Sequence, residues 1–336
     1  MTDIGNREEL SAYLRRSGIL GSGEEAEIRY FPGGVSGAAA LVSSANGEVL
    51  VKQAYERLKV AAEWKCDPRR IKVENDALSV YRSIVPQCVP APVSFDDENW
   101  IMIREAVPDD WIMWKTDLLN GKINREVAGK AIDALLAVHN ATAYNEQVRS
   151  RFSDPQFFYE LRVAPYIEYL LIRYPQLKEK AGALSNMLLN EKLALIHGDY
   201  SPKNILVKGD DICILDFEVA YYGNPCFDIA FFANHFLLKA VKNRSIADEY
   251  IGLLTFMLKR YFDGISYAGA DKTEADSVRT LGFLLLARAD GKSPVEYITE
   301  ESSKELVRRT ALRVIEDDCS RFEQVFDILR NEMKKG

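Results

Sequence analysis

The chain has 336 residues, 47% hydrophobic and 28% charged, with 43 Lys plus Arg against 50 Asp plus Glu and a net charge of −7. That is the make-up of a globular protein long enough for two domains or lobes, and no run of like charge reaches the length of a nucleic-acid-binding tail. Every apolar stretch is broken by charge short of the ~18 residues that a spanning helix needs, and the N-terminal MTDIGNREELSAYLRR is too polar for a signal peptide.

The first third reads as β-rich with one inserted helix. EIRYFPGG and AAALVSSANGEVLVKQA are strands around turns, with Asn46-Gly47 as a hairpin signal. DPRRIKVENDALSVYRSI is helical, with apolar residues at Ile71, Leu78, Val80 and Tyr81 and Asp67 as N-cap ahead of Pro68. VPQCVPAPVSFDDENWIMIREAV returns to extended structure, with Asp96 to Asn99 as a hairpin tip and Trp100 to Ile103 as a buried strand. Beyond about residue 106 the pattern is mostly helical: INREVAGKAIDALLAVHNAT carries a core-facing stripe. FFYELRVAPYIEYLLIRYP and the stretches 246–263, 276–289 and 303–331 read similarly. The exception is LALIHGDYSPKNILVKGDDICILDFE, where Ile205–Val207 and Ile212–Leu215 flank a Gly-Asp-Asp turn. The layout is an α+β fold, a small β-rich lobe over 1–105 and a larger, mainly helical lobe over 106–336.

The chemistry concentrates in HGDYSPKN and DFE. Phosphoryl transfer asks a protein to position a nucleotide and an acceptor hydroxyl and to neutralise charge with Mg²⁺, a hard cation that prefers oxygen ligands. The template has an Asp that meets the acceptor proton, an Asn five residues on as a metal ligand, and a second metal-binding Asp heading the next strand–turn; Asp199, Asn204 and Asp216 reproduce that spacing. Singly these are ordinary turn residues; the combination favours phosphoryl transfer. The β-rich lobe then supplies the nucleotide clamp. In YFPGGVSG, Gly33, Gly34, Ser36 and Gly37 let backbone N–H groups approach phosphates, although a Pro-Gly-Gly turn is more often a plain hairpin. Lys52, ending the next strand, is the phosphate-pairing lysine, with Glu74 as its acidic partner and Glu63 as the second choice. The strand WIMIREA, including Ile103 and Glu105, offers its backbone to the adenine edge.

HGDYSPKN with DFE resembles the signature of the aminoglycoside phosphotransferases, choline kinases and related small-molecule kinases, which share a bilobal protein-kinase-like fold. Their loop starts His-Gly-Asp where protein kinases typically have His-Arg-Asp, Glu218 stands where those carry Gly, and there is neither GxGxxG nor Ala-Pro-Glu, so a protein substrate is not expected. WKCDPRRIKVENDAL, FEVAYYGNPCFDIAFFANHFL and RRTALRVIEDD resemble the 5-methylthioribose kinase branch. Its paired-arginine helix makes Arg308 and Arg309 substrate-binding candidates, with a solvated helix face as the equal alternative. Pro202 to Asn204 replaces that branch's Gly-Ser ending, and Asp216-Phe217-Glu218 its Asp-Pro-Glu; both departures move towards the aminoglycoside and choline kinase pattern. The resemblance implies ATP and Mg²⁺ as cofactors, Asp199 and Glu218 facing a small-molecule hydroxyl acceptor such as methylthioribose, no nucleic-acid or membrane partner, and allows a homodimer. An antibiotic or amino-alcohol acceptor is the alternative, and a non-catalytic nucleotide-binding regulator the reading from another class.

Other residues read as structural. The five scattered cysteines, without a CxxC pair, point to reduced, buried thiols in a cytoplasmic protein. Three histidines, none at i,i+4 spacing, do not make a zinc site. His139 and His235 read as core or helix-end residues, His197 as a brace for the catalytic loop, and Asp228 as an acceptor for that loop's backbone. The aromatics of FFYELRVAPYIEYLLIRYP are core by default, with the acceptor pocket as the sharper alternative. The clusters Asp109-Asp110 and Glu316-Asp317-Asp318 would suit a cationic acceptor but read first as solvated surface.

Overall fold

The structure, a computed structural model, describes residues 2–31, 37–54 and 67–335. The chain separates into two compact units, 1–110 and 111–336.

In the first unit, α1 (Arg7–Arg16) starts where the Asn6 side chain accepts bonds from the N–H groups of Glu8 and Glu9, and it carries acids in its first turn and bases in its last. Strands β1 (Glu27–Tyr30), β2 (Gly37–Ser44), β3 (Gly47–Ala54), β4 (Pro92–Asp96) and β5 (Ile101–Glu105) form an antiparallel sheet in the order β1-β2-β3-β5-β4. The β2–β3 hairpin falls one residue earlier than its Asn-Gly signal suggests. Ser44 pairs with Gly47, so the turn residues are Ala45 and Asn46, and Gly47 enters β3 at φ +116°. Alternation along the strands sends Val51, Ile101 and Ile103 into a core with Leu10, Tyr13 and Leu14 of α1. Lys52 therefore faces the opposite way, where Glu74 of α2 (Arg70–Ile84) meets it. That helix starts later than Asp67 suggests. Asp67 accepts from Arg69 N–H and caps a preliminary turn of i→i+3 bonds, which Pro68 tolerates, before the α-helix proper begins.

The second unit begins with β6 (Ile112–Met113), α3 (Trp114–Leu119), α4 (Arg125–Thr142), α5 (Glu146–Arg151) and α6 (Gln156–Phe158). The chain then continues as a π-helical stretch, Tyr159–Glu168, and a 3₁₀ turn, Tyr169–Ile172. The sequence pattern here suggests an ordinary amphipathic helix; Pro165 is the reason it is not. Proline has no N–H and its ring clashes with the carbonyl four residues back, which a widened turn accommodates. That carbonyl, of Leu161, accepts a bond from Arg162 Nη1 at 2.6 Å. Next come α7 (Lys178–Asn190), β7 (Ala194–Ile196), β8 (Ile205–Lys208), β9 (Asp211–Ile214) and β10 (Tyr221–Gly223). β10 pairs with β7, and β6, β8 and β9 form a second small sheet.

Four long helices and one shorter one complete the unit: α8 (Cys226–Lys242), α9 (Ala247–Gly264), α10 (Ala270–Asp290), α11 (Glu301–Glu316) and α12 (Phe322–Met333). Every residue of α8 from Cys226 to Val241 is buried, so it is the core helix on which the others pack. The single helical stretch expected over 303–331 is two helices, interrupted where Asp318 takes φ +47°. The described cysteines, Cys88, Cys213, Cys226 and Cys319, are all buried. Among the described residues, no helix is long and apolar enough to cross a membrane.

Candidate active site

The segment 197–204 links β7 to β8 and is held from several sides. Gly198 has φ +73°, and a Cβ there would sit 2.5 Å from the Val219 carbonyl oxygen, so only glycine fits. Asp228, fully buried in the first turn of α8, accepts from His197 N–H (2.7 Å) and Gly198 N–H (2.9 Å) and lies 3.2 Å from His139 Nε2. The chain of contacts continues from His139 Nδ1 to the Tyr261 hydroxyl (2.7 Å) and on to the Tyr267 hydroxyl (2.6 Å). His197 Nδ1 accepts from Asp199 N–H, which leaves Nε2 protonated to donate to the Leu215 carbonyl, both at 3.2 Å. Burial keeps its pKa below the ordinary histidine value against the opposing pull of Asp228, Asp199 and Asp216, so the ring is neutral. Phe217 packs on it at 4.8 Å between ring centres, and the Tyr200 hydroxyl donates to the Ala131 carbonyl of α4 at 2.6 Å.

This bracing presents Asp199. One carboxylate oxygen accepts from Asn204 Nδ2 at 2.7 Å and the other lies 2.9 Å from Arg162 Nη2, leaving each a second lone pair. Arg162 Nε also donates to the Gly198 carbonyl at 2.5 Å. Burial works against this guanidinium, but Asp199 above all, then Tyr166, Glu218 and Asp216, hold it firmly cationic. Asp216 follows β9 with φ +69°, a left-handed conformation that is strained for aspartate and typical of functional positions.

Asn204 gives its amide N–H groups to Asp199, which orients its side-chain oxygen as a hard donor, and Asp216 supplies a carboxylate. Among the described residues no three His, Cys, Asp or Glu side chains gather as a self-sufficient metal cage. An all-oxygen pair of this kind fits magnesium, which takes its remaining ligands from phosphate and water.

Asp199 and Asp216 open onto a cavity of about 390 Å³ within the second unit. Leu161, Arg162 and Tyr166 of the π-helical stretch border it, as do Ser201, Lys203 and Glu218. Its other wall is Lys115, His235, Arg288 and the loop from Ser293 to Tyr297.

Residues 27–251, well over half of the chain, match the phosphotransferase enzyme family known as APH. The chain belongs to that family. Among its curated relatives, the methylthioribose kinase of Geobacillus kaustophilus (strain HTA426) is 25% identical in an alignment of 325 positions that covers 79% of each chain. Solved structures show the same kinase-like fold at low identity. A choline kinase from Cryptosporidium parvum Iowa II superposes with a TM-score of 0.55 at 12% identity, covering 98% of this chain and 95% of that one. A spectinomycin phosphotransferase, solved with ADP and spectinomycin, gives 0.51 at 12% identity, covering 97% and 98%. The protein is thus a phosphotransferase of the small-molecule kinase type.

The remaining sequence-derived candidates of this phosphotransferase fall in distinct places. Lys52 Nζ bonds both Glu74 oxygens, at 2.8 and 2.6 Å, with Glu74 buried. Gly33, Gly34 and Ser36, like the alternative Glu63, lie outside the described residues. Ile103 sits inside the sheet with its side chain in the α1-facing core, whereas Glu105 ends β5 with its carboxylate accepting from Ala91 N–H. Arg308 grips Asp290 (2.6 and 2.7 Å) and also pairs with Glu305, and Arg309 binds Glu332 at 2.8 Å; among the described residues neither arginine lines the cavity.

Sequence reasoning missed Arg162 and Arg288, and it read His235 as a core or helix-end residue; that ring is buried and also lines the cavity. The available signals were a lone arginine three residues before a mid-helix proline and an arginine closing the apolar run LGFLLLA. A charge in such a setting has to find a buried partner or a ligand.

Proposed function

We propose that this phosphotransferase is an ATP- and Mg²⁺-dependent kinase that phosphorylates a hydroxyl of a sugar-like small molecule. The observation that carries the reading is Asp199, clamped between Arg162 and Asn204 and opening with Asp216 onto the cavity. Asp199 orients the acceptor hydroxyl and takes its proton. The acceptor oxygen forms a bond to the γ-phosphorus as the bond from that phosphorus to the β,γ-bridging oxygen breaks, and ADP leaves with the electron pair. Asn204 and Asp216 would hold Mg²⁺, which when bound neutralises charge on the transferring phosphates. Lys52, fixed by Glu74, pairs the α/β-phosphates; Gly33, Gly34 and Ser36 supply backbone donors to the phosphates; and the strand end at Ile103 and Glu105 meets the adenine. Glu218 faces the acceptor. Arg308 acts on it indirectly, by anchoring Asp290, two residues from Arg288. The ADP in the spectinomycin phosphotransferase supports nucleotide use, and the methylthioribose kinases make methylthioribose the first neutral sugar to test.

Asp199→Ala is expected to abolish acceptor-dependent ADP release while Mg·ATP binding in calorimetry survives. Asp216→Ala is expected to weaken Mg·ATP binding itself. Retained turnover in the first variant, or unchanged nucleotide affinity in the second, overturns these assignments.

A further inference from the structure

The far wall of the cavity comes from segments distant in sequence: Tyr166 on the π-helical stretch, His235 on α8, Arg288 near the end of α10, and Tyr297 in the loop after it. His235 is 8% exposed and Arg288 9%, yet His235 Nε2, Arg288 Nε and the Tyr297 hydroxyl have no hydrogen-bond partner among the described residues. Buried polar atoms are nearly always satisfied, so unsatisfied ones lining a cavity mark where a ligand or an ordered water bonds. Arg288 Nη1 contacts Ser293 O (2.9 Å) and Oγ (3.2 Å), and its guanidinium lies over the rings of Tyr166 (4.9 Å) and Phe231 (5.4 Å). None of these contacts neutralises its charge. Among the described residues the one acid on this wall is Glu296, which is ion-paired to Lys115 and reaches Arg288 only through space.

The surroundings are electropositive as well. Burial, with Arg288, Lys239, Lys203 and Lys115, pushes the pKa of His235 well below its ordinary value. Lys239, fully buried with its Nζ 5.4 Å from the Tyr297 ring centre, is pushed down to about 7 by burial and by Lys115. The acids Asp199, Asp216 and Glu218 line the reaction end instead.

We infer that the acceptor carries an anionic group, a carboxylate or a phosphate, that seats against Arg288, His235 and Tyr297 while its hydroxyl meets Asp199. The hydroxyl half of this statement rests on the kinase reading; the anionic half rests on the far wall alone. An ammonium or aminoglycoside placed there would meet Arg288 with no acid left to pair it.

The test uses one panel on the full chain: gluconate and ribose 5-phosphate as anions, ribose and methylthioribose as neutral sugars, choline and kanamycin as cations. Binding is read by calorimetry and turnover by ADP release. An anion should bind, with kcat/KM about tenfold or more above every neutral or cationic compound, and the two anions separate carboxylate from phosphate. Arg288→Gln should cut the anion-to-neutral kcat/KM ratio about tenfold, with partial recovery in Arg288→Lys. Tyr297→Phe removes only a hydroxyl and should raise the anion KM severalfold, so it decides the matter if Arg288→Gln fails to fold. Preference for a neutral or cationic acceptor, no binding of either anion, or an unchanged ratio in folded Arg288→Gln together with an unchanged KM in Tyr297→Phe overturns the inference. Anion binding that Arg288→Gln abolishes, with no ADP released for any acceptor, upholds the anion site and overturns the kinase reading instead.

Discussion

The two ends of the cavity are built on opposite plans. At the reaction end the groups that brace Asp199 are satisfied from within the protein: Asp228 takes two loop N–H groups, His197 bridges Asp199 N–H and the Leu215 carbonyl, and Arg162 and Asn204 occupy one lone pair each on Asp199. At the far wall three buried polar atoms, His235 Nε2, Arg288 Nε and the Tyr297 hydroxyl, have no partner among the described residues. The difference teaches where each kind of specificity resides. Chemistry that must be in place before substrate arrives is preorganised by internal hydrogen bonds, whereas recognition is left open for the substrate to complete.

The reaction end can be broken most severely at Asp228. Asp228→Ala leaves two loop N–H groups and His139 without their buried acceptor and is expected to cost about 3–5 kcal/mol of stability by denaturant unfolding. A loss below about 1 kcal/mol would mean that the loop is held by other contacts. A milder cut is Arg162→Met, which frees one side of Asp199 without touching the loop's own hydrogen bonds to Asp228. It should lower kcat about 10- to 100-fold, roughly 1.4–2.7 kcal/mol in the barrier, with little change in KM and partial rescue by Arg162→Lys. A drop confined to melting temperature would reduce Arg162 to a packing residue.

The smallest effect tests the potential behind the far wall. Because Lys239 is pushed down to about 7 in the folded state, below that pH the folded protein holds a buried ammonium that the unfolded chain would hydrate. That penalty is complete below about pH 7 and is relieved as pH rises towards the ordinary lysine value, where the unfolded chain also releases its proton. Lys239→Met should therefore stabilise the protein by roughly 1–2 kcal/mol at pH 6, with a gain that shrinks on raising the pH to 9. A gain independent of pH would show that Lys239 affects stability through packing alone.

Much of this was readable before any coordinates, because it is local. His197, Asp199, Asn204 and Asp216 lie within 20 consecutive residues, and the spacing of a metal-and-base loop survives wherever the hairpin between them is kept. The Lys52–Glu74 pair was legible for a related reason: the kinase pattern puts a lysine at the end of the strand after the glycine-rich turn and its acidic partner on the helix that follows. The late start of α2 and the shifted β2–β3 turn were one- and two-residue errors of the kind that capping and turn geometry decide. The π-helical stretch was a larger miss, since Pro165 within an amphipathic run fits both a break and a widened turn.

The sequence by itself determined the reaction class, through a short loop whose chemistry depends on neighbours in the chain. Only the tertiary structure decided what surrounds that loop. Arg162, His235, Arg288 and Tyr297 come from four segments spread over 136 positions, and nothing in their local patterns says that they line one cavity. The packing of α10 and the π-helical stretch around the buried α8 brings them together. The side chains that line the cavity are thus set by helix packing, a long-range property to which local spacing is blind.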